Sequence, residues 1–239
     1  MDSIQHLITI LFKANSQQTE ILQQINAQLL SRFRLRLTSD LYIYPLEVEA
    51  YYNNGYNFND CFCHCHRLQQ NRFGKLYFHR LGNTDTLNKT RGGVDVCLSD
   101  QEGIYFSVLI RSARIGTEII IGPHKVAKKI IQVTHQSPSE LEQNEVLEPY
   151  DSDSFQQETI FLGYRVNLGK NVTSQYREMN LRSLIQLKVH PFKEKEKILY
   201  YHIQNLKSRN VMDAKEQIKE WLGYTSKALS EKLNSIPIK

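Results

Sequence analysis

Apolar side chains recur every three to four residues near the start of the chain, which is the spacing of one face of an α-helix. The residues that follow this spacing are Ile21, Leu22, Ile25 and Leu29. Ser16 stands before them and is a residue type suited to cap a helix. The pattern therefore predicts a helix that begins after Ser16 and ends near Leu30.

Beyond this helix the period changes to two. Between residues 33 and 38, basic and apolar side chains alternate, which gives a strand one basic and one apolar face. Further runs rich in aromatic and β-branched residues predict more strands. The predicted strands are residues 33–38, 41–52, 75–80, 94–99, 104–112 and 117–121, with two more near 164–168 and 181–188. In the strand at 104–112, one face carries Ile104, Phe106, Val108 and Ile110.

Helical patterns return after residue 121. Gly122-Pro123 ends a strand and opens a helix within residues 121–136, because proline suits the first turn of a helix. That segment carries Lys125, Lys128 and Lys129 and no acidic residue. Two more helices are predicted at residues 194–206 and 213–234. The apolar face of the first comprises Ile198, Leu199, Ile203 and Leu206.

Charge is distributed unevenly along the chain. Residues 138–158 hold seven acidic side chains and no lysine or arginine. We therefore expect most of this segment to be a solvated helix and loop that extend from the core. The whole chain has 30 basic and 25 acidic side chains, a net charge of +5. This excess permits a nucleic-acid partner without proving one. With basic segments at residues 32–36, at 125–129 and in the tail, we expect one cationic face.

These elements predict a single α+β domain with a mixed, curved β-sheet flanked by helices. We divide its 239 residues into N-terminal helices (1–31), a core (32–190) and a basic helical tail (191–239). No apolar run approaches the roughly 18 residues of a transmembrane helix, and the run at residues 7–12 is too short for a signal sequence. The four cysteines are then expected to be thiols. We predict a cytoplasmic monomer with no membrane partner.

Two carboxylates stand out on the strand at 41–52. Glu47, Glu49 and Tyr51 are two residues apart and share one face. A carboxylate beside an aromatic ring could act as a general base. The alternative, which the pattern alone favours, is an ordinary solvated strand face. Arg111, at the end of an apolar strand, could be the cationic partner of Glu49.

The segment Cys61-Phe62-Cys63-His64-Cys65-His66 concentrates residue types that bind zinc. Its alternation places the cysteines on one side and the histidines on the other, and Cys97 is the only other cysteine. This spacing favours buried or half-buried thiols over a structural metal site, and no triad signature supports a cysteine nucleophile. Asp60 and His64 could pair with each other. A Cys/His metal protein stays open as a hypothesis.

Several short motifs, in order, resemble the alkyladenine (3-methyladenine) DNA glycosylase family. The family strand E-T-E-A-Y is matched by Glu47-Val48-Glu49-Ala50-Tyr51, and a family Asp with a His four residues later is matched by Asp60 and His64. Four further matches lie downstream. They are Phe73-Gly74-Lys75-Leu76-Tyr77-Phe78-His79, Leu109-Ile110-Arg111-Ser112-Ala113, Gly122-Pro123-His124-Lys125-Val126, and Arg165-Val166-Asn167-Leu168-Gly169-Lys170 followed by Leu181-Arg182.

The resemblance implies the family's fold and a metal-free reaction without a cofactor on damaged duplex DNA. A damaged purine nucleotide is flipped into a pocket, where a glutamate activates water to attack the sugar C1′. By resemblance Glu49 is the general base, Arg111 helps to place it and its water, and Tyr51 and His64 line the base pocket. The residues assigned to nucleic-acid contact are Lys125, Lys128, Lys129 and Arg182.

The chain departs from the family pattern at three places. His79 stands where the family has a second pocket tyrosine, and Cys97 stands where it has an asparagine at the pocket wall; we keep both as substrate-binding residues. The family's Tyr-Gly hairpin, which fills the gap left by the flipped nucleotide, has no counterpart. In the longer loop at 81–93, Leu81 and Leu87 are the available wedges. These departures leave open a nucleic-acid-binding protein with little or no hydrolysis.

Overall fold

Two long antiparallel strands, β2 (Tyr42–Asn53) and β5 (Tyr105–Ile115), form the centre of the computed structural model of the chain. The structure describes residues 3–150, 158–169, 175–188, 190–207, 214–224 and 227–234. The remaining strands are short. They are β1 (Phe33–Arg36), β3 (Leu76–Phe78), β4 (Val94–Cys97), β6 (Glu118–Ile121), β7 (Leu147–Pro149), β8 (Phe161–Gly163) and β9 (Arg182–Leu184).

The strands form one curled sheet in the order β3-β4-β5-β2-β1-β7. The strand β6 pairs with the second half of β5, and β9 pairs with β2 and with β8. Every strand pair within the described residues is antiparallel, so the expectation of a mixed sheet is wrong. The physical reason is that a parallel pair needs a long crossover, whereas β3, β4, β5 and β6 follow one another directly along the chain and pair in turn.

Seven α-helices within the described residues complete the α+β fold. They are α1 (Ile4–Lys13), α2 (Gln18–Arg32), α3 (Pro123–Thr134), α4 (Pro138–Leu141), α5 (Lys195–Lys207), α6 (Ala214–Leu222) and α7 (Lys227–Asn234). The helix α2 begins one residue later than the sequence suggested, because its cap position is Gln17 in the left-handed conformation and not Ser16. The predicted first-turn proline of α3 is confirmed.

One face of the two central strands packs on the N-terminal helices. Along β2, the side chains of Val48, Ala50 and Tyr52 are buried there, and α2 contributes its predicted apolar stripe. Phe106, Val108 and Ile110 of β5 are fully buried, as their alternation predicts. Because side chains alternate along a strand, the residues between them on β2 point away from this apolar core. Those residues form the candidate site described below.

Two sequence expectations fail in the C-terminal half. Residues 138–150 are not a solvated excursion, because β7 pairs with β1 and the side chain of Glu142 is buried; residues 151–157 lie outside the described residues. The strand expected at 164–168 is instead β8, which ends at Gly163, and Asn167 is left-handed with φ 62°.

The tail is helical as predicted, and α5 packs on β8. Its residues Ile198, Leu199 and Ile203 are buried, while the side chain of Leu206 lies outside the described residues. Across the described segments, no helix combines the length and the apolar character that a membrane span requires.

The burial of Glu142 can be tested by unfolding experiments. Its carboxylate accepts the backbone N–H of Phe78 at 2.8 Å and a guanidinium N–H of Arg80 at 2.9 Å. We expect Glu142→Ala to lower the free energy of unfolding by about 1–3 kcal/mol, because it leaves a buried donor unpaired. The matched change at the exposed Glu145, Glu145→Ala, should stay within about 0.5 kcal/mol. Equal urea midpoints for the two variants would contradict this role.

Candidate functional site

Glu47 and Glu49 lie on the face of β2 opposite the apolar core, and neither is solvated. Their exposed fractions are 3% and 0%. The interpretation of this face as an ordinary solvated strand surface is therefore wrong. A buried carboxylate is costly unless it is paired and hydrogen-bonded, so the partners of these two residues determine the local structure.

Glu49 accepts hydrogen bonds from three directions. The hydroxyl of Tyr51 donates to its Oε2 at 3.0 Å, and Nη1 of Arg111 donates to the same oxygen at 3.3 Å. The backbone N–H of Val166 donates to Oε1 at 2.9 Å. The predicted pairing of Arg111 with Glu49 is confirmed. These donors fix the carboxylate in one orientation beside the aromatic ring of Tyr51.

Glu47 shares Arg111 with Glu49 and adds a second arginine. Nε of Arg111 lies 3.0 Å from Oε1 of Glu47, Nε of Arg182 lies 2.7 Å from the same oxygen, and the hydroxyl of Ser112 donates to Oε2 at 2.5 Å. We call Glu47, Glu49, Arg111 and Arg182 the buried charge network. Burial opposes the charge on Arg111, but the two glutamates outweigh it and raise the pKa of the guanidinium.

The expected phosphate contact of Arg182 does not fit this arrangement. Its side chain has an exposed fraction of 0%, and it donates to Glu47 and to the backbone oxygen of Lys193. A side chain enclosed in this way cannot reach a phosphate on the surface. Its role here is to neutralise Glu47.

Asp60 and Arg165 form a second buried ion pair beside the network. The guanidinium of Arg165 binds both carboxylate oxygens of Asp60, and also donates to the backbone oxygens of Ala50 at 3.2 Å and Tyr176 at 2.8 Å. Asp60 is therefore paired with Arg165, and not with His64 as one interpretation of the sequence suggested. The same guanidinium lies 4.7 Å from the ring centroid of Tyr51, so it also supports that ring.

A cavity of about 410 Å³ opens beside these groups. Its wall brings together four residues singled out from the sequence, and adds others. The wall residues important for the argument are Tyr51, His64, His79, Arg91, Asp95 and Arg111. Glu49 is not part of the wall; it lies directly behind Tyr51, Arg111 and Val166, which are. Cys97 is also outside the wall, since it is buried and its thiol donates to the backbone oxygen of Leu68.

Tyr51 keeps its proton in this environment. Burial and then the nearby carboxylate of Glu49 raise the pKa of the phenol well above its ordinary value. The hydroxyl is therefore available as a donor to Glu49 at any physiological pH. The ring is held at the cavity wall, where it can contact a planar ligand.

The histidines form a compact cluster on another part of the wall. Nε2 of His79 lies 2.8 Å from Oδ1 of Asp95, and its Nδ1 lies 3.1 Å from the backbone oxygen of Arg91. Oδ2 of Asp95 accepts from the hydroxyl of Ser107 at 2.6 Å. The ring of His64 lies 4.5 Å from that of His79, and its Nδ1 contacts the Tyr77 hydroxyl at 3.2 Å.

The cysteine segment borders the cavity through Cys61 and Cys63. Cys61 and Cys65 are exposed, whereas Cys63 is buried. A hydrogen bond from Cys63 lowers the pKa of Cys65 to about 7. Within the residues that the structure describes, no group of three or more Cys, His, Asp or Glu side chains is arranged to hold a metal ion.

The lysines of α3 lie next to the cavity, because Pro123 at the start of α3 is part of its wall. Lys125 and Lys128 are exposed. Lys129 is half-buried, and its Nζ lies 2.6 Å from a carboxylate oxygen of Glu118. Two of the three lysines thus have their charge exposed near a helix N-terminus, where anions are favoured.

The sequence did not single out Asp95, Arg165 or Val166 as site residues. Asp95 stands in a short apolar strand, Val94–Cys97, which is an unusual place for an unpaired carboxylate. Arg165 and Val166 belong to a motif that supported the family resemblance, but no role was assigned to them. Their partners Asp60 and Glu49 are more than 100 residues away along the chain.

No protein-family model matches the chain, and a search of curated proteins finds no match either.

The buried charge network predicts a large effect of removing one charge. We expect Arg182→Met to lower the free energy of unfolding by about 3–5 kcal/mol, because it leaves Glu47 buried with less compensation. Arg36→Met removes an arginine whose contact with Glu148 is on the surface, and should cost less than about 1 kcal/mol. Chemical unfolding followed by the fluorescence of Trp221 measures both. A smaller loss for Arg182→Met than for Arg36→Met would contradict the role of the network.

Proposed function

We propose that this protein is a DNA glycosylase-like hydrolase that removes an alkylated or otherwise damaged purine base. The observation that carries the proposal is Glu49, held by Arg111 and Tyr51 directly behind the wall of the cavity. A volume of about 410 Å³ lies within the range of small-molecule sites, about 300–1,000 Å³. A purine flipped out of a duplex fits such a space.

In the proposed reaction, Glu49 accepts a proton from a water molecule as that water attacks C1′ of the flipped nucleotide. The bond between C1′ and the base nitrogen breaks, and its electron pair leaves with the base. A cationic alkylated purine leaves as a neutral molecule, and an uncharged purine takes up a proton from water. Arg111 and the N–H of Val166 orient the carboxylate, so that little reorganisation is needed during the reaction. Tyr51 stacks against the flipped base, and base–aromatic stacking offsets part of the cost of extrusion. Each proton transfer in this scheme uses a side chain or water, so no metal or cofactor is required.

DNA is the proposed partner, bound by a cytoplasmic monomer. Lys125 and Lys128, exposed beside the cavity, would contact backbone phosphates together with the N-terminus of α3. Leu81 has an exposed fraction of 58% and is the better wedge for the gap left by the flipped nucleotide. Leu87 is half-buried and packs against the core.

One observation favours a second function on the same scaffold, nucleic-acid binding with little or no hydrolysis. The carboxylate of Glu49 already accepts three hydrogen bonds, and its side chain is not part of the cavity wall. A carboxylate whose oxygens already accept three hydrogen bonds can act as a general base only if one of the donors moves aside. In this alternative, the cavity recognises a base without cleaving its glycosidic bond.

The decisive experiment measures base release from alkylated duplex DNA, followed by alkaline cleavage of the abasic sites. We expect Glu49→Gln to lower the rate by about 10²–10⁴-fold, because it removes the general base. Glu145→Gln, at an exposed position outside the cavity, should release bases at the wild-type rate. If the wild-type protein forms no more strand breaks than Glu49→Gln, the proposal is wrong for that substrate.

Binding distinguishes the two functions. Both functions predict an affinity for DNA that falls steeply as the salt concentration rises. Replacing Lys125 and Lys128 together by alanine should reduce the slope of log affinity against log salt concentration by about 2. Binding with a steep salt dependence but no base release supports the second function. Binding that is absent, or that does not change with salt, would count against both.

A further inference from the structure

We propose that Cys63 and Cys65 form a redox pair, in which a peroxide oxidises Cys65 and Cys63 then forms a reversible disulfide with it beside the cavity. The proposed function does not use this pair, and the inference does not depend on that function. The pair lies in the segment of cysteines and histidines at residues 61–66, which has no metal site among the residues that the structure describes.

The side chains of the two cysteines already contact each other. Their thiols are hydrogen-bonded, and the backbone N–H of Cys65 donates to the sulfur of Cys63. The backbone at Cys65 is left-handed, with φ 49°, so this part of the chain is curved and is not an extended strand. A left-handed conformation is uncommon for a residue with a side chain, and it persists only where the surrounding structure holds it.

Contacts on both sides of the pair hold this bend. Before it, the backbone N–H of Cys63 donates to the backbone oxygen of Asp60 at 3.0 Å, and the carboxylate of Asp60 is bound to Arg165. After it, the backbone N–H of His66 donates to Oε1 of Gln69 at 2.9 Å. The fold therefore fixes both ends of the segment and keeps the two sulfur atoms together.

Their surroundings give the two sulfur atoms different roles. Cys65 is exposed, so a peroxide in solution can reach it, whereas Cys63 has an exposed fraction of 8%. The hydrogen bond from Cys63 outweighs burial and the charge of Asp60, and lowers the pKa of Cys65 to about 7. The same hydrogen bond and burial raise the pKa of Cys63, which keeps its proton. An exposed thiolate next to a second thiol is the arrangement found in redox-sensing cysteines.

The reaction has two steps. The Cys65 thiolate attacks one oxygen of the peroxide, so an S–O bond forms and the O–O bond breaks. The other oxygen takes the proton that Cys65 released on ionising, and leaves as water or as an alcohol. The sulfur of Cys63 then attacks the sulfenic sulfur of Cys65, an S–S bond forms, and the hydroxyl group leaves as water with the proton of Cys63.

The electrons balance in this sequence. The two thiols lose two electrons, and these electrons reduce the peroxide. A thiol reductant returns both cysteines to their starting state by thiol–disulfide exchange. Disulfides of this transient kind are the ones expected where the surroundings are reducing.

The disulfide would change the cavity through His64, the residue between the two cysteines. In a disulfide the sulfur atoms lie about 2.05 Å apart, closer than in any hydrogen bond between them, so the backbone of residues 63–65 must shift. His64 is part of the cavity wall, and its Nδ1 lies 3.2 Å from the hydroxyl of Tyr77. Oxidation therefore alters the wall, and reduction restores it.

The test treats the reduced protein with hydrogen peroxide at neutral pH and measures the mass of the peptide that contains residues 61–66. The wild-type peptide should lose two hydrogen atoms, and dithiothreitol should restore them. Cys61→Ser is the matched control, because Cys61 is an exposed cysteine of the same segment. This variant should form the same disulfide, which assigns the bond to Cys63 and Cys65.

Two further variants separate the steps. Cys63→Ala should stop at a sulfenic acid on Cys65, which dimedone traps, because the thiol that forms the disulfide is gone. Cys65→Ser should be oxidised about 10-fold more slowly than the wild-type protein, because the thiolate is the nucleophile.

Alkylation measures the Cys65 thiolate without an oxidant. The rate of its reaction with iodoacetamide should be half-maximal near pH 7 in the wild-type protein, which is the pKa of Cys65. In Cys63→Ala the thiolate loses its donor, so this midpoint should rise toward the ordinary thiol pKa of about 8.5. An equal midpoint in the two proteins would contradict the hydrogen bond on which the pair depends.

The redox pair is overturned if Cys61→Ser forms no disulfide with peroxide, or if Cys65→Ser is oxidised as fast as the wild-type protein. The effect on the wall has its own readout. Nitrogen-15 NMR signals of the His64 ring should shift on oxidation and return on reduction, while those of His202 on α5 stay constant. Unchanged His64 signals would refute that effect. These measurements do not use base release, so their outcome and that of the proposed function are independent.

Discussion

Four charged side chains from three strands meet on the face of the sheet opposite the apolar core. They position the candidate catalytic groups. Arg111 of β5 bridges Glu47 and Glu49 of β2, and Arg182 of β9 adds a second cation at Glu47. Removing such charges from water costs several kcal/mol per ion, so the network is stable only when every partner is present. A slip of β2 by one residue would turn both glutamates into the apolar core. The network therefore fixes the register of the central strands and the orientation of Glu49 at the same time.

The sheet has two different faces, and this difference explains the position of the cavity. On one face the helices α1 and α2 cover an apolar layer from β2 and β5. On the other face the alternate side chains are charged or aromatic, and they pair with the segment that contains Arg165 and Val166. Apolar side chains on this face would pack closely against one another and leave no cavity. Polar side chains that bind one another at fixed distances can leave a cavity between them, with Tyr51 and Arg111 in its wall.

The sequence predicts local structure well and distant pairing poorly, for physical reasons that individual residues illustrate. Alternation places Glu47, Glu49 and Tyr51 on one face of a strand, and the structure agrees. Whether that face is solvated depends on what covers it, and the cover includes Val166, which is 117 residues away from Glu49. The same holds for Arg182, whose basic side chain suggests a surface contact until its partner Glu47 is known. Pairing with β1 likewise turned part of an acidic segment into the strand β7, although its composition indicated solvent.

The charge on the cavity wall depends on two strands together, and not on His79 alone. The ring of a histidine is neutral or charged according to what faces it. Here Tyr77 pairs with Asp95 across β3 and β4, and this register brings the carboxylate beside His79, the residue that directly follows β3. Cys97, two residues along β4, contacts Leu68 and is too far along the strand to be part of the wall. The residue of β4 that determines the chemistry of this part of the wall is therefore Asp95, because its carboxylate outweighs burial and raises the pKa of the His79 imidazole.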